Sequence, residues 1–303
     1  MSILLTKETR AIIQGITGRI GSIQAMWMKQ CGTPLVAGVT PGSGGKEVHG
    51  IPVYDDVAEA VQKHGANASV IFAPAPYAMD AVFEAIEAGI KLVVCVPEHI
   101  PTHDTMKIRA KAAEAGAIVL GPNTPGIISP GIGKLGIMPA SMFKPGRIGL
   151  ISRSGTLAYE VAGYINEGGY GQSTMIGIGG DPVRGTDIQI IMQEFDRDPE
   201  TDMVVIVGEI GGTIENDAAS YVDKMNKPVI AYIAGQTAPA GRKMGHAGAI
   251  ITGSQGTVQA KETAFKNAGA LVAHKISDIP QLIKEAYRLG YPQGLSEIAS
   301  GKM

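Results

Sequence analysis

The sequence predicts an α/β protein built from two successive doubly wound halves, and three observations carry that expectation. Short apolar runs rich in Val, Ile and Ala alternate with longer segments of helical period along nearly the whole chain. Glycine-rich loops follow those runs, as expected where a parallel sheet presents its carboxyl edge to a ligand. The alternation breaks once, in the Pro/Gly-containing stretch MFKPGR from Met142 to Arg147, which divides the chain into 1–145 and 146–303. A length of 303 residues is enough for two domains of ordinary size.

The first half opens with a strand over RAIIQ, residues 10–14, followed by GITGRIG with Gly15, Gly18 and Gly21. A helix is expected from about Gly21 to Gln30. The spacing is GxxGxxG, with Thr17 in the tight turn, and such a strand–loop–helix unit offers backbone N–H groups and a helix N-terminus to phosphate. The same glycines also suit close packing of helix on sheet. The next strand, PLVAGV, ends in TPGSGGKEVHG without the acidic residue that would meet a nicotinamide ribose; Lys46 follows instead, which favours an anionic ligand of another kind. Helix DDVAEAVQKH, strand ASVIFA, helix PAPYAMDAVFEAIEAG with Asp80 or the preceding turn at its start, strand IKLVVCV, helix PEHIPTHDTMKIRAKAAEAG and strand AIVL continue the pattern. Five strand-like segments alternating with helices indicate a largely parallel sheet covered on both faces. His99 and His103 are four apart with Pro101 between them and no acidic or cysteine partner at metal spacing; loop or surface packing accounts for both better than zinc.

The second half opens with strand RIGLIS and then RSGTLAYEVAGYINEGG. Ser152, Ser154 and Thr156 surround Gly155 just before a helix, a pattern that serves a simple N-cap, a phosphate, or both. Glu209 ends the apolar run VVIVGEIGG, where a carboxylate either orients an imidazole or is only a terminal strand charge. After strand PVIAYIA comes GQTAPAGRKMGHAGAIITGSQG, with His246 pinned between Gly245 and Ala247. Gly and Ala leave room around that imidazole, although the window alone reads equally well as a flexible turn with an incidental histidine. Helix TVQAKETAFKNAG, strand ALVAH and a closing helix around IPQLIKEAYRLG complete a flavodoxin-like arrangement of four to five strands.

Composition narrows the function. Lys plus Arg number 26 against 28 Asp plus Glu, a formal charge of -2, which argues against a polyanion-binding surface. Aromatic residues are only 5%, with no basic–aromatic interleaving for stacked bases. Cys31 and Cys95 make no disulfide framework, and the N-terminal stretch has no signal-like apolar core, so a reducing cytoplasm is expected. There is no GxxxxGK[ST] nucleotide loop and no carboxylate cluster suited to a Mg2+–nucleotide cage.

Taken together, GPNTPGIISPG, SRSGTLAYE, GIGGDP, GEIGG and TAPAGRKMGHAGAI resemble the alpha-subunit family of succinyl-CoA synthetase, or succinate–CoA ligase, over essentially the full chain. The resemblance implies a Rossmann-like coenzyme A-binding domain followed by a flavodoxin-like ligase domain whose histidine, His246, is phosphorylated. It implies reversible joining of succinate to coenzyme A through an acyl phosphate, with Glu209 orienting His246 and Ser154 and Gly155 receiving phosphate. The resemblance makes Tyr159 and Thr124 interface or substrate candidates, Tyr159 near the catalytic interface and Thr124 in place of the cysteine common in GPNCPG. Thr17, Gly18, Arg19 and Ile20 match the first coenzyme A loop, and Val96, Pro97 and Glu98 the segment near the adenine. Many relatives have lysine at the position of Ser43, whereas here Lys46 lies three residues later, and His99 stands where glycine is common. An ATP-grasp beta subunit, in an αβ or α2β2 heteromer, is implied to hold Mg2+ with ATP/ADP or GTP/GDP. Malate–CoA and citrate–CoA ligases share the pattern, and a noncatalytic coenzyme A-binding module shares part of it.

Overall fold

The computed structural model describes residues 3–239 and 241–290, and its contacts divide the chain into two compact units. The first comprises Leu4–Ala140 and Ile176–Asp187. Its elements are β1 (Ala11–Gln14), α1 (Arg19–Gln30), β2 (Leu35–Val39), β3 (Glu47–Val48), β4 (Ile51–Tyr54), α2 (Val57–His64), β5 (Ala68–Ile71), α3 (Ala75–Glu87), β6 (Leu92–Cys95), α4 (Thr102–Ala115), β7 (Ile118–Leu120), β8 (Gly126–Ser129) and β9 (Gly133–Gly136). Seven strands pair in the order β3-β4-β2-β1-β5-β6-β7, every neighbouring pair parallel except β3–β4. Without the short β3 this is the Rossmann order, two parallel wings running outward from β1. The apolar runs fill the middle of the sheet: every residue of β1, β5 and β6 is buried. β8 and β9 form an antiparallel hairpin.

Local chemistry sets the element ends, and in three places it departs from the expectation. The run TPGSGGKEVHG contains β3, folded back on β4 through His49 and Gly50, both at positive φ (53° and 76°). α1 begins at Arg19, two residues before Gly21. Asp80 does not start α3, which begins at Ala75 behind Pro74 and leaves Asp80 within the helix. α2 has a side-chain cap, Asp56, whose carboxylate accepts from Glu59 N, and it ends on Gly65 in the left-handed conformation.

The second unit comprises Ser141–Met175 and the chain from Ile188 on. It contains β10 (Pro145–Ser152), α5 (Gly155–Glu167), β11 (Gln172–Gly177, which carries the chain across the division), α6 (Ile188–Arg197), β12 (Met203–Glu209), α7 (Ile214–Val222), β13 (Val229–Ala234), α8 (Val258–Asn267), β14 (Leu271–Ala273) and α9 (Ile279–Arg288). The strands run in the order β14-β13-β12-β10-β11, with β10–β12, β12–β13 and β13–β14 parallel, the flavodoxin order read from its far edge. α6 buries the stripe Ile188, Ile191, Met192 and Phe195. The Phe195 ring occupies the space a side chain at position 149 would need, since a Cβ on Gly149 would lie 2.6 Å from it. Burying one such ring contributes roughly 1.5–3 kcal/mol.

Contacts do not follow a single cut at residue 145. Residues 176–187, which include GIGGDP, group with the first unit. There Asn123 Nδ2 donates to Asp181 Oδ1 at 2.9 Å and Val119 N to Thr186 Oγ1 at 2.9 Å.

Candidate functional site

The carboxyl edge of the second unit's sheet gathers three chain segments. β10 ends at Ser152 and leads through Arg153 into α5; β12 ends at Glu209; β13 ends at Ala234 and releases the loop that holds His246. His246 Nδ1 lies 2.9 Å from both Oε1 and Oε2 of Glu209. The Glu209 side chain is 10% exposed and that of His246 28%, so the carboxylate is shielded while the ring keeps an open side. A carboxylate held against Nδ1 fixes the Nδ1–H tautomer and directs chemistry to Nε2. The loop is seated by Gly211, whose φ is +84°; a Cβ there would come within 2.2 Å of Gly248 O and 2.5 Å of Ile250 N. Its backbone N–H donates to Gly256 O at 2.8 Å, tying the far end of the same loop.

Ser154 caps α5, its Oγ accepting from Leu157 N at 3.3 Å, and the first turn of that helix carries no acidic residue. The hydroxyl of Ser152 donates to Ser154 O at 2.7 Å and holds the turn. The N-cap reading of this serine is therefore correct in detail, and the positive end of α5 stays available to an anion at Gly155.

Beneath Glu209 lies a buried set of charges that the sequence reading passed over. Arg153 Nη2 lies 3.1 Å from Glu209 Oε1, and Nη1 lies 3.1 Å from Glu215 Oε1 and 3.2 Å from Gly211 O. Lys261 Nζ donates to Glu209 O and Gly211 O, both at 2.7 Å, and to Glu215 Oε2 at 2.5 Å. Glu209 N donates to Glu215 Oε1 at 3.1 Å. Burial works against the charge on Glu215, but Arg153 and Lys261 outweigh it and hold the carboxyl below its ordinary value. For Lys261 burial wins over the attraction of Glu215 and lowers its value. A signal for both residues exists in the sequence. Lys261 sits in phase with Val258 and Phe265 on the buried stripe of α8, and Glu215 beside Ile214 on the buried stripe of α7. A charge on an apolar stripe needs an opposite charge near it.

Tyr159 is half-buried on α5, edge-on to Phe143 with ring centroids 6.1 Å apart, and burial raises its hydroxyl's value. Thr124, offered above as a substrate candidate, is instead committed to the fold. It is buried, its Oγ1 donates to Gly177 O at 2.5 Å and accepts from Gly126 N at 3.0 Å.

In the first unit the expected ligand loops share one sheet edge, after β1 (Thr17, Gly18, Arg19, Ile20), after β2 (Ser43, Lys46) and after β6 (Val96, Pro97, Glu98). Gly15 (φ +83°) makes the turn, and Gly21 has no side chain because a Cβ would lie 2.2 Å from Gly15 O. Gly18 N-caps α1 without a side-chain hydrogen bond, its own N–H donating to Gly15 O at 3.1 Å, and the first turn carries no acidic residue; Thr17 to Ile20 are exposed. Ser43 shapes its loop more than it offers a hydroxyl: it is buried, and its N–H donates to Asp55 Oδ1 at 2.9 Å. Lys46 is exposed, with Nζ 3.3 Å from Ser43 Oγ. His99, at φ 65°, stands outside α4, while His103 lies within it, so the two do not share a helical face. Cys95 is buried and its thiol pushed up to about 12 by that burial. Among the described residues no group of three His, Cys, Asp or Glu fits a metal ion, and no helix is long and apolar enough to cross a membrane.

Residues 6–99 match the CoA binding domain family and residues 151–271 the CoA-ligase family. The chain is 53% identical over 285 residues to "Succinate--CoA ligase [ADP-forming] subunit alpha 2" of Archaeoglobus fulgidus, covering 94% of this chain and 99% of that one. The chain belongs to the succinate–CoA ligase alpha-subunit family. A second alpha subunit of the family, from Methanothermobacter thermautotrophicus, is 54% identical over 93% of this chain and 96% of its own length. Among solved structures, ATP citrate lyase from Methanothrix soehngenii in complex with citrate and coenzyme A superposes with a TM-score of 0.86 at 25% identity. That match covers 97% of this chain, which spans 53% of the lyase chain. A dinucleotide-forming acetyl-coenzyme A synthetase of Ca. Korarchaeum cryptofilum shares the fold, with a TM-score of 0.69 at 24% identity over 89% of this chain and 59% of that one. The Rossmann-like and flavodoxin-like architecture expected from the sequence is thus the architecture of the succinate–CoA ligase alpha-subunit family.

Proposed function

We propose that this chain is the alpha subunit of an ADP-forming succinate–CoA ligase and that His246 carries its phosphoryl group between the acid and the nucleotide. The observation that carries the reading is the Glu209–His246 pair, 2.9 Å at both carboxylate oxygens, in a chain more than half identical to named alpha subunits. In the direction that makes nucleoside triphosphate, an oxygen of inorganic phosphate attacks the thioester carbonyl of succinyl-CoA. The C–O bond forms, the C–S bond breaks, and coenzyme A leaves as thiolate. Nε2 of His246 then attacks the acyl phosphate; the N–P bond forms, the P–O bond breaks, and succinate leaves with the electron pair. Nδ1–H remains on Glu209, whose charge stabilises the ring as it becomes cationic. The Gly155 amide and the positive end of α5 receive the phosphoryl oxygens, with Ser154 capping the helix through Leu157 N.

Coenzyme A, a substrate here, is taken by the first unit. The first-turn amides at Arg19 and Ile20 suit its phosphates, with Thr17 and Gly18 holding the turn through Thr40 Oγ1 and Gly15 O; Lys46 supplies the nearby cation, and Val96, Pro97 and Glu98 flank the adenine on the same sheet edge. Tyr159 lines the approach to the histidine. The described residues do not fit a Mg2+ site, so no step on this chain runs through the metal; nucleotide and Mg2+ belong to a beta partner, and the working enzyme is a heteromer. The domain assignment follows the same logic, 1–145 for coenzyme A and 146–303 for the phosphohistidine chemistry, with 176–187 returning to the first unit. The test is co-purification with the native partner and turnover with ATP, Mg2+, coenzyme A and succinate, malate or citrate in turn. Succinate is expected to be fastest; faster malate or citrate turnover overturns the substrate assignment. Robust turnover by this chain alone overturns the heteromer.

A further inference from the structure

The buried charges beneath Glu209 count to zero: Arg153 and Lys261 against Glu209 and Glu215. They are not equivalent in what they touch. Lys261 spends its three donors on the backbone of the Glu209 turn and on Glu215, so it shapes the turn without reaching the Glu209 carboxylate. Arg153 alone of the two cations reaches that carboxylate, and it does so on Oε1, one of the two oxygens that face His246 Nδ1. Its other arm is anchored on Glu215 and Gly211 O, and its side chain is 1% exposed, so the guanidinium is held in place and unscreened. Two cationic groups therefore compete for one carboxylate whenever His246 carries positive charge.

We propose that Arg153 is a positioning residue for histidine phosphorylation: by sharing Glu209 Oε1 with His246 it limits the carboxylate's pull on the imidazole and keeps the ring neutral and nucleophilic near pH 7. The proposal rests on the phosphohistidine reading above. The charge facing the pair comes from Arg153 between β10 and α5, Glu215 on α7 and Lys261 on α8, with exposed Arg242 and Lys243 on the histidine loop itself. Without Arg153, Glu209 acts on the ring undivided and stabilises the imidazolium further. Protonated imidazole has no lone pair at Nε2, so phosphorylation near neutral pH slows although every reacting group is present.

The experiment uses the complete complex with its partner and follows single-turnover phosphorylation of His246 by labelled ATP across pH. Arg153→Lys keeps the charge. The double variant Arg153→Met with Glu215→Gln removes one buried charge of each sign, so the set stays neutral overall while Lys261 keeps its two backbone acceptors. In the double variant the acidic limb of the rate profile is expected to move up by on the order of one pH unit, with the rate recovering at high pH. In Arg153→Lys the limb is expected to stay with the wild type. A limb unmoved in the double variant overturns the proposal, as does an equal shift in Arg153→Lys, and a loss uniform across pH would mark a merely structural role. If the wild-type complex itself forms no phosphohistidine, the functional reading fails rather than this inference alone.

Discussion

Replacing Glu209 with Gln keeps the shape of the side chain and removes its charge. Both carboxylate oxygens lie 2.9 Å from His246 Nδ1, and one is also 3.1 Å from Arg153 Nη2. An amide offers only one acceptor oxygen. Turned toward His246, it presents its NH2 to the guanidinium; turned toward Arg153, it presents NH2 to the Nδ1 proton. Either way one bond to a charged group is lost, the hydrogen bond from Nδ1 or the ion pair with Arg153, in a site where the side chain is 10% exposed. Such bonds are worth about 1.5–3 kcal/mol, which corresponds to a fall of about 10- to 150-fold in a rate that depends on it. Rapid-quench measurement of phosphohistidine formation on the intact complex gives the rate of that step apart from substrate binding. Coenzyme A affinity is expected to be unchanged, because the coenzyme A loops lie on the first unit. A phosphorylation rate within about threefold of the wild type, under 1 kcal/mol by the same conversion, would refute the orienting role of Glu209.

Glu215→Gln is expected to lower unfolding stability by about 3 kcal/mol at pH 7, because it breaks a buried pair and leaves Arg153 and Lys261 with one carboxylate fewer. The folded value of Glu215 lies below its ordinary 4.5, so its contribution is present above 4.5 and is lost as pH falls through the lower folded value. The gap between wild type and variant, followed by chemical denaturation, therefore narrows below pH 4.5; a gap independent of pH contradicts the ion-pair account. Thr124→Val leaves Gly177 O and Gly126 N without their hydroxyl partner and is expected to cost about 1–3 kcal/mol of stability. The KM for succinate should not move, and a raised KM at full stability would return Thr124 to the substrate site.

How much of this was legible in the sequence depended on whether a residue's meaning is local. The alternation of strands and helices in both units follows from apolar runs and the loops after them, and Ser154 reads correctly as a helix N-cap. Glu209 and His246 were legible because strand ends and glycine loops gather at one sheet edge. Arg153 was not, because it is ordinary within its own segment; Glu215 and Lys261 show in the sequence only as charges on the apolar stripes of α7 and α8, and their partners appear only when α5, α7 and α8 close over the same turn. Residues 40–50 misled for the opposite reason: their glycines suggested an open loop, whereas two positive-φ residues, His49 and Gly50, turn the chain back from a short antiparallel strand. Thr124 carried a family position without the context to reveal that its hydroxyl is fully used by backbone groups.

In the proposed reaction every phosphoryl group passes through one nitrogen, Nε2 of His246. The complex of this chain with its partner, incubated with γ-labelled ATP and Mg2+ and then digested, is predicted to give label on the peptide containing His246, stable in base and labile in acid. Addition of succinate and coenzyme A is predicted to discharge that label as succinyl-CoA forms, and the His246→Ala complex should take up none while still binding coenzyme A. Absence of label on His246 in a complex that turns over, or turnover retained in the His246→Ala complex, contradicts the covalent route.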